Sequence, residues 1–509
     1  MEKSQLKAGA ILSMIGLLLN NLIPFFYTPI MLDILGQEQY GLMGIASSFM
    51  SYLGLLNFGI GGSVVRYLVR YRAAGDTDGE RRIFGLFIKI YSVIGLLVLT
   101  AGMVLSFNLQ FYGRSLSDEE LSTLRVLIQL MTLNSALFLP LSPFSSIVTA
   151  HERFVFGKTA GMIFNISSPI ISLILLFSGV RVVGLTAFGL VYSTCSNVLI
   201  MFYVFKRLHI RPSFRKAEKG ILKEILGYSF FVFLAEMVNI LYWATDKLII
   251  GWAYGSAMTA IYNVGANFNG YITSISSAIS GVLMPRITSI AVKSNTPKTE
   301  FTALFIKVGR LQFILLSFIL SAFIAFGRQF IKVWVGDAYS MAYWVALLVM
   351  IPILIPLIQN TGLNILYATN RHRFRSVSYA CIAVLNVILT FWWVKHWGII
   401  GAAAATCVAY IVGHIFLMNW YYNKKIGIDI PLFWKNIAKM SPVMFICGTA
   451  AWLILDKVGI DNWGEFLVYA ALYSIVYFVL AYIFMMNDYE RNILCSPFRK
   501  ILRKIQKGN

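Results

Sequence analysis

The chain has 509 residues, of which 58% are hydrophobic and 13% charged; its mean hydropathy is +0.73. That is far more apolar surface than one water-soluble core can bury, which excludes a soluble enzyme or binding domain. A net charge of +21 would suit a nucleic-acid binder, but the basic residues lie in short segments between apolar runs, which excludes that class as well.

A membrane span needs about 20 mostly apolar residues. Lys3 and Lys7 precede the first run, 9–32, which is too long for a signal peptide and has no small-residue cleavage site, so it reads as an uncleaved first span. Further spans are predicted at 41–65, 83–107, 121–149, 159–179, 182–204, 225–251, 257–284, 302–326, 339–368, 377–394, 398–420, 440–456 and 465–486. The expected fold class is therefore an all-α integral membrane protein of about fourteen transmembrane helices. The very short links 179–182 and 394–398 predict tight helical hairpins. Pro140, Pro143, Pro352 and Pro356 predict bends in spans four and ten, and the glycines of span two predict close helix approach.

Orientation follows from Lys and Arg in the connections. With the N-terminus inside, the inner segments hold Arg66, Arg70, Arg72, Arg81, Arg82, the run from Lys206 to Lys223, Arg371, Arg373, Arg375, Lys424, Lys425 and Arg499 to Lys504. The outer turns hold few basic residues, such as Arg114, Arg181, Lys332 and Lys457. Both termini are expected in the cytoplasm, with no external domain.

The two halves resemble each other at an offset of about 220 residues. Residues 153–207 run from Arg153-Phe154 through Asn165 and Gly184 to Lys206-Arg207; residues 373–425 run from Arg373-Phe374 through Asn386 and Gly401 to Lys424-Lys425. Arg66 closes span two as Arg286 closes span eight. Six spans separate the copies, an even number, so the repeat is parallel: two six-helix lobes about an axis along the membrane normal. The expected division is an N-lobe at 1–207, a C-lobe at 208–425, two C-terminal helices within 426–486 and a basic tail at 487–509.

Ionisable groups within spans are costly and usually face a cavity or a partner. In span seven, Glu236, Asn239, Trp243 and Asp246 recur at spacings of three and four on one helical face. They are candidates for a substrate cavity, and Glu236 and Asp246 for a coupling cation, H+ or Na+. The alternative is structural: Asp246 and Lys247 pairing with other groups or simply solvated near the outer interface. Asn263, Asn267, Asn20, Asn21 and Asn57 join the cavity set, since amides bind sugar hydroxyls, although they also serve as interhelical hydrogen-bond partners. Arg66 and Arg286 are candidates for holding a phosphate at the cytoplasmic mouth; anchoring by the positive-inside rule explains them equally well. His414 reads as a packing residue.

No catalytic or metal site is expected. Cys195, Cys381, Cys407, Cys447 and Cys495 are scattered without a CxxC pair. There is no GxxxxGK[ST], HExxH or GxSxG, and Asp76-Thr77-Asp78, which imitates a glycosyltransferase DxD, reads as a solvated turn.

Several local patterns fall in a telling order: Leu35-Gly36-Gln37-Glu38-Gln39-Tyr40-Gly41 after span one, Asp246-Lys247-Leu248-Ile249-Ile250-Gly251 with Tyr262 in span eight, and Pro285-Arg286 at its end. In these the chain resembles the polysaccharide transporter, or oligosaccharide flippase, branch of the multidrug/oligosaccharidyl-lipid/polysaccharide (MOP) exporter superfamily over essentially its whole length. The resemblance implies a non-enzymatic flippase of the bacterial cytoplasmic (inner) membrane. It would move an undecaprenyl-pyrophosphate-linked oligosaccharide to the outer leaflet by alternating access, for O-antigen, capsule or exopolysaccharide assembly. Implied partners are the lipid-linked oligosaccharide, the bilayer, and the polysaccharide polymerase and chain-length proteins, but no nucleic acid and no cofactor beyond the coupling ion. The related lipid II flippases keep arginines within spans one, two and eight, which this chain lacks at mid-membrane. The alternatives are a cation-coupled multidrug-type exporter and a non-transporting membrane scaffold.

Overall fold

Hydrocarbon offers backbone groups no partner, so a spanning chain must satisfy them within helices or a closed barrel. The computed structural model takes the first solution. It describes residues 2–112, 115–216, 218, 220–281, 287, 289–290, 297–369, 371, 373–460 and 462–492, and among them there is no β-strand. In chain order the first helices are α1 (Glu2–Gly54), α2 (Gly61–Ala73), α3 (Thr77–Phe107), α4 (Asp118–Ala150), α5 (Phe154–Phe177), α6 (Val182–Tyr203) and α7 (Ile221–Gly281). Helices Pro297–Val335, Ala342–Ile358, Asn360–Ala368, Arg373–Tyr410, Ile430–Val458 and Trp463–Leu480 follow.

Among the described residues ten helices are long and apolar enough to cross a bilayer, or eleven when the bent pair Ala342–Ile358 and Asn360–Ala368 is one span. Three of the ten, Leu18–Ala73, Ile221–Ser277 and Phe374–Ile426, have 56, 57 and 53 residues. A straight helix of that size is about 80 Å long, nearly twice the whole thickness of a bilayer. Each contains one glycine in a backbone conformation that essentially requires glycine: Gly36 (φ 76°, ψ 173°), Gly255 (φ 84°, ψ −174°) and Gly398 (φ 57°, ψ −140°). The helix breaks there with no intervening loop. Counting each of the three as two crossings makes the structure compatible with fourteen.

The breaks also carry the repeat. Gly36 and Gly255 are 219 residues apart, and so are Gly179 and Gly398, all with positive φ. At Gly179 (φ 85°), the expected hairpin ends α5 when the Val180 amide donates to the Leu175 carbonyl at 3.0 Å, a Schellman closure. An aromatic stack recurs too: Phe156 on Tyr203 at 3.6 Å and 8°, and Phe374 on Tyr421 at 4.1 Å and 6°.

Helix starts follow from local chemistry. Ser117 and Glu120 form a reciprocal capping box on α4, and three carboxylates in its first turn complement the helix dipole. Asp76 caps α3 by accepting from the Gly79 amide at 2.7 Å, which gives the Asp76-Thr77-Asp78 motif a structural role. Two expectations change in detail. Span two is interrupted after Gly54 by a 3₁₀ turn, Leu55–Asn57, and resumes as α2, which continues past Arg66 to Ala73. Pro140 and Pro143 leave α4 unbroken, whereas span ten bends by 44° at Gln359, after Pro352 and Pro356.

By packing, the chain divides into two compact units, Met1–Asn263 with Tyr379–Ala405, and Val264–Ser378 with Thr406–Asn509. The first unit's core is built on α2, α3 and α4, with Tyr67, Phe84, Phe87, Tyr91 and Phe144 all buried. Glycine permits its closest approaches: a Cβ on Gly41 would lie 1.8 Å from the Ser256 carbonyl oxygen. The second unit is organised on Pro297–Val335, the most buried of the long apolar helices. Phe305 packs edge-on to Phe433 at 4.8 Å, and Ser317 and Ser321 bond the hydroxyls of Tyr477 and Tyr473, each at 2.9 Å. The last span, Trp463–Leu480, is tied to the unit in this way.

Candidate functional site

The polar residues of the first unit sort by how deeply each is buried along the first half of α7. Ile221, Ile225 and Ser229, and then Tyr242, Asp246 and Ile250, are buried in two runs with a spacing of four residues. Glu236 and Asn239 lie between these two runs on the same side of the helix but are exposed, and Trp243 is half-buried. The predicted stripe therefore runs from exposed at Glu236 to fully enclosed at Asp246.

Asp246 has no exposed surface. Its Oδ2 accepts from the Tyr262 hydroxyl at 2.6 Å and its Oδ1 from the Thr390 hydroxyl at 2.9 Å. Thr245 beside it is hydrogen-bonded to Tyr52. The carboxylate thus joins the segments before and after the Gly255 break to the helix carrying Thr390, and it is not solvated. Asn386, one helical turn before Thr390, is also fully buried. Tyr262 figured in the sequence only as part of a motif, Asn386 only as a repeat marker and Thr390 not at all. Their shared signal is a set of polar residues inside apolar runs, with Asn386 and Thr390 four apart on one helix.

The interruption of span two is the second feature. Phe58 (φ 48°) and Gly59 (φ 67°) both take left-handed conformations there. A Cβ on Gly59 would lie 2.6 Å from both the Phe233 amide nitrogen and the Ser229 carbonyl oxygen, so only glycine lets the break seat on α7. From the break α2 runs alongside α7: Ser63 bonds Ser229 at 2.8 Å, the Arg66 guanidinium lies 4.6 Å from the centre of the Tyr228 ring, and Arg70 pairs with Glu224 at 3.0 Å. Arg66 is exposed and held over the Tyr228 ring as a cation–π contact. Glu236 lies eight residues beyond Tyr228 on the same helix, about 12 Å along its axis.

The amides divide likewise. Asn20 is exposed and accepts from Asn165 at 3.3 Å, linking α1 to α5; Asn21 is half-buried. Asn57, at the break, is half-buried with its Oδ1 enclosed and without a partner. Asn263 is buried, its amide close to Gly44, and its Oδ1 also has no partner. Asn267 is exposed in the second unit. Arg286, with Pro285, lies outside the described residues. Glu236, Asn239, Asn20 and Arg66 thus share the exposed surface of the first unit, while Asp246 and Asn263 are enclosed within it. Among the described residues no group of His, Cys, Asp or Glu is placed to hold a metal ion, and Cys195, Cys381, Cys407 and Cys447 are free thiols.

Residues 6–291 match the family described as "Polysaccharide biosynthesis protein". Among curated proteins, the chain is 20% identical over 500 residues to the "uncharacterized membrane protein EpsK" of Bacillus subtilis (strain 168), covering 95% of this chain and 96% of that one. It is also 20% identical over 395 residues to the "putative O-antigen transporter" of Shigella flexneri, covering 77% and 91%. Among solved structures, it superposes on the lipid II flippase MurJ in an inward closed conformation with a TM-score of 0.71 at 15% identity, covering 94% and 98% of the two chains. An inward-facing multidrug resistance MATE transporter of the MOP superfamily matches with a TM-score of 0.62 at 15% identity, covering 85% and 99%. At that identity the structures establish the fold, that of the MOP transporters. The matched segment spans more than half of the sequence, and the chain is a multi-pass membrane protein that belongs to the polysaccharide biosynthesis protein family.

Proposed function

We propose that the protein is a flippase that carries an undecaprenyl-pyrophosphate-linked oligosaccharide repeat unit from the cytoplasmic to the outer leaflet of the bacterial inner membrane. It acts as a transporter and not as an enzyme, supplying O-antigen, capsule or exopolysaccharide assembly. The lobes 1–207 and 208–425 alternate access to the substrate, and both termini lie in the cytoplasm, as the basic connections indicate. The observation that carries the reading is the ionisable and amide surface left exposed on apolar, membrane-length helices in a chain of this family: Glu236, Asn239, Asn20 and Arg66. A charge facing lipid at mid-membrane costs about 2.5–3.5 kcal/mol or more, so such a face is retained where it meets water or a polar cargo. Amides and a carboxylate suit sugar hydroxyls, and a guanidinium suits a phosphate.

Asp246 serves as the coupling carboxylate for H+ or Na+, supported by its complete burial and its two hydroxyl partners on other segments. The lipid-linked oligosaccharide is the substrate, and the polymerase and chain-length proteins of the same assembly line are the protein partners.

Arg66→Ala and Glu236→Ala test the cargo surface. Both side chains are exposed, so each variant should reach the membrane at the wild-type level while surface polysaccharide falls about tenfold, the loss of roughly 1.4 kcal/mol of transition-state stabilisation. Gel analysis of surface glycan alongside a membrane immunoblot decides it, and normal glycan in both variants removes these residues from the site.

A further inference from the structure

We infer that the second unit holds a site for an anionic glycerophospholipid, at the start of helix Pro297–Val335 and distinct from the cargo surface. A cavity of about 880 Å³ opens there, within the roughly 300–1,000 Å³ typical of small-molecule sites. It is walled by three segments: Lys298 and Lys307 on Pro297–Val335, Leu432 and Asn436 on Ile430–Val458, and Asn487 and Tyr489 in the segment after the last span.

The charges in this wall are unequally satisfied. Arg310, at the back of the cavity, is neutralised by Glu490 through two bonds, Nε to Oε1 at 2.7 Å and Nη2 to Oε2 at 2.8 Å. Asp429 uses its Oδ1 to cap the Leu432 amide at 2.9 Å. Lys307 lies over the Tyr489 ring, its Nζ 3.6 Å from the centroid, and Lys298 is exposed at the rim. Among the described residues neither lysine is in an ion pair. Two ammonium groups therefore face the cavity without a carboxylate of their own, beside the amides of Asn436 and Asn487.

A soluble anion would use only that half of the wall. The other half is apolar, with Ala303, Ile306 and Leu432, the last 42% exposed, and it lies at the ends of two membrane-length helices. Basic donors beside an apolar wall match a phosphate ester with acyl chains attached. Under the topology proposed above the site faces the cytoplasmic leaflet, where anionic lipids are drawn to basic clusters. The bound lipid bridges all three segments and so fastens the C-terminal segment to the rest of the unit.

The full chain in nanodiscs of phosphatidylcholine, with or without one-fifth phosphatidylglycerol, tests this. Phosphatidylglycerol should raise the melting midpoint of the wild type by several degrees, since a ligand of the native state stabilises it. Native mass spectrometry should retain one phosphatidylglycerol per chain. Lys298→Gln/Lys307→Gln should lose both effects, and so should Leu432→Glu, a change at an exposed position that leaves packing intact. Lys435→Gln/Lys439→Gln, which removes the same charge outside the cavity, should keep both. The inference is overturned if phosphatidylglycerol leaves the wild type unmoved, if the two lysine double variants respond alike, or if millimolar inorganic phosphate in pure phosphatidylcholine discs reproduces the rise.

Discussion

Replacing Glu490 with alanine will destabilise the protein by about 3–5 kcal/mol, because it strands a buried guanidinium. Arg310 and Glu490 are 8% and 3% exposed, so neither charge can turn to water when its partner is lost. The Arg310 Nη2 would keep only the Met485 carbonyl at 2.8 Å. Glu490 also closes a reciprocal pair with Asn487, accepting from the Asn487 amide and donating its own amide to the Asn487 Oδ1, each at 2.9 Å. Losing the carboxylate removes the bond from the Asn487 amide as well. A thermal melt of the purified protein in detergent should show a much lower midpoint. The double variant Arg310→Met/Glu490→Leu, which replaces the pair by apolar groups of similar size, should recover most of the loss. If Glu490→Ala melts with the wild type, the pair is not the clamp described here.

Asp246→Asn should cut transport severely while leaving the protein folded. Asparagine keeps an oxygen for one of the hydroxyls of Tyr262 and Thr390 and fills the same volume, so the enclosed junction survives. It cannot exchange a proton or bind a cation by charge. Surface polysaccharide should fall by more than about tenfold, and the remaining activity should no longer respond to an imposed cation gradient; the tenfold loss corresponds to about 1.4 kcal/mol. Thr390→Val, which removes one hydroxyl and keeps the carboxylate, should reduce transport less and retain the gradient response. Transport by Asp246→Asn at the wild-type level would reduce Asp246 to a packing group.

Sequence and structure agree where the physics is local. Twenty-residue apolar runs must be helices in a bilayer, and the hairpin at Gly179 was legible from the shortness of its link. The repeat was legible from paired residues, and the matching positive-φ glycines at 36 and 255, and at 179 and 398, give it a backbone cause. The breaks at Gly36 and Gly255 fall in the expected connections 33–40 and 252–256, but their form was less legible: one glycine in a conformation closed to other residues breaks the helix without a loop. The interruption at residues 55–60 was hidden because its glycines also suit a continuous, closely packed helix, and its cause lies in the approach of Ser229 and Phe233 to Gly59.

Long-range partners were beyond local pattern. Helical periodicity placed Glu236 and Asp246 on one stripe, and their spacing permits that. Packing decides that one is exposed and the other enclosed, because the stripe crosses from the surface of the unit into its interior. Thr390 is 144 residues from Asp246, and Glu490 is 180 from Arg310. Glu490 sat in what read as a basic tail, and only the fold shows that the tail's first residues return to the helix carrying Arg310.

The central claim is that the protein moves a lipid-linked oligosaccharide across the membrane. The most direct test is to deplete it in its own host and label the spheroplasts with a glycan-reactive reagent that cannot cross the membrane. The lipid-linked repeat units should then accumulate while their external labelling disappears, and re-expression should restore labelling. External labelling that persists at the normal level without the protein would contradict the account, and a simultaneous loss of drug efflux would point to the multidrug-type exporter instead.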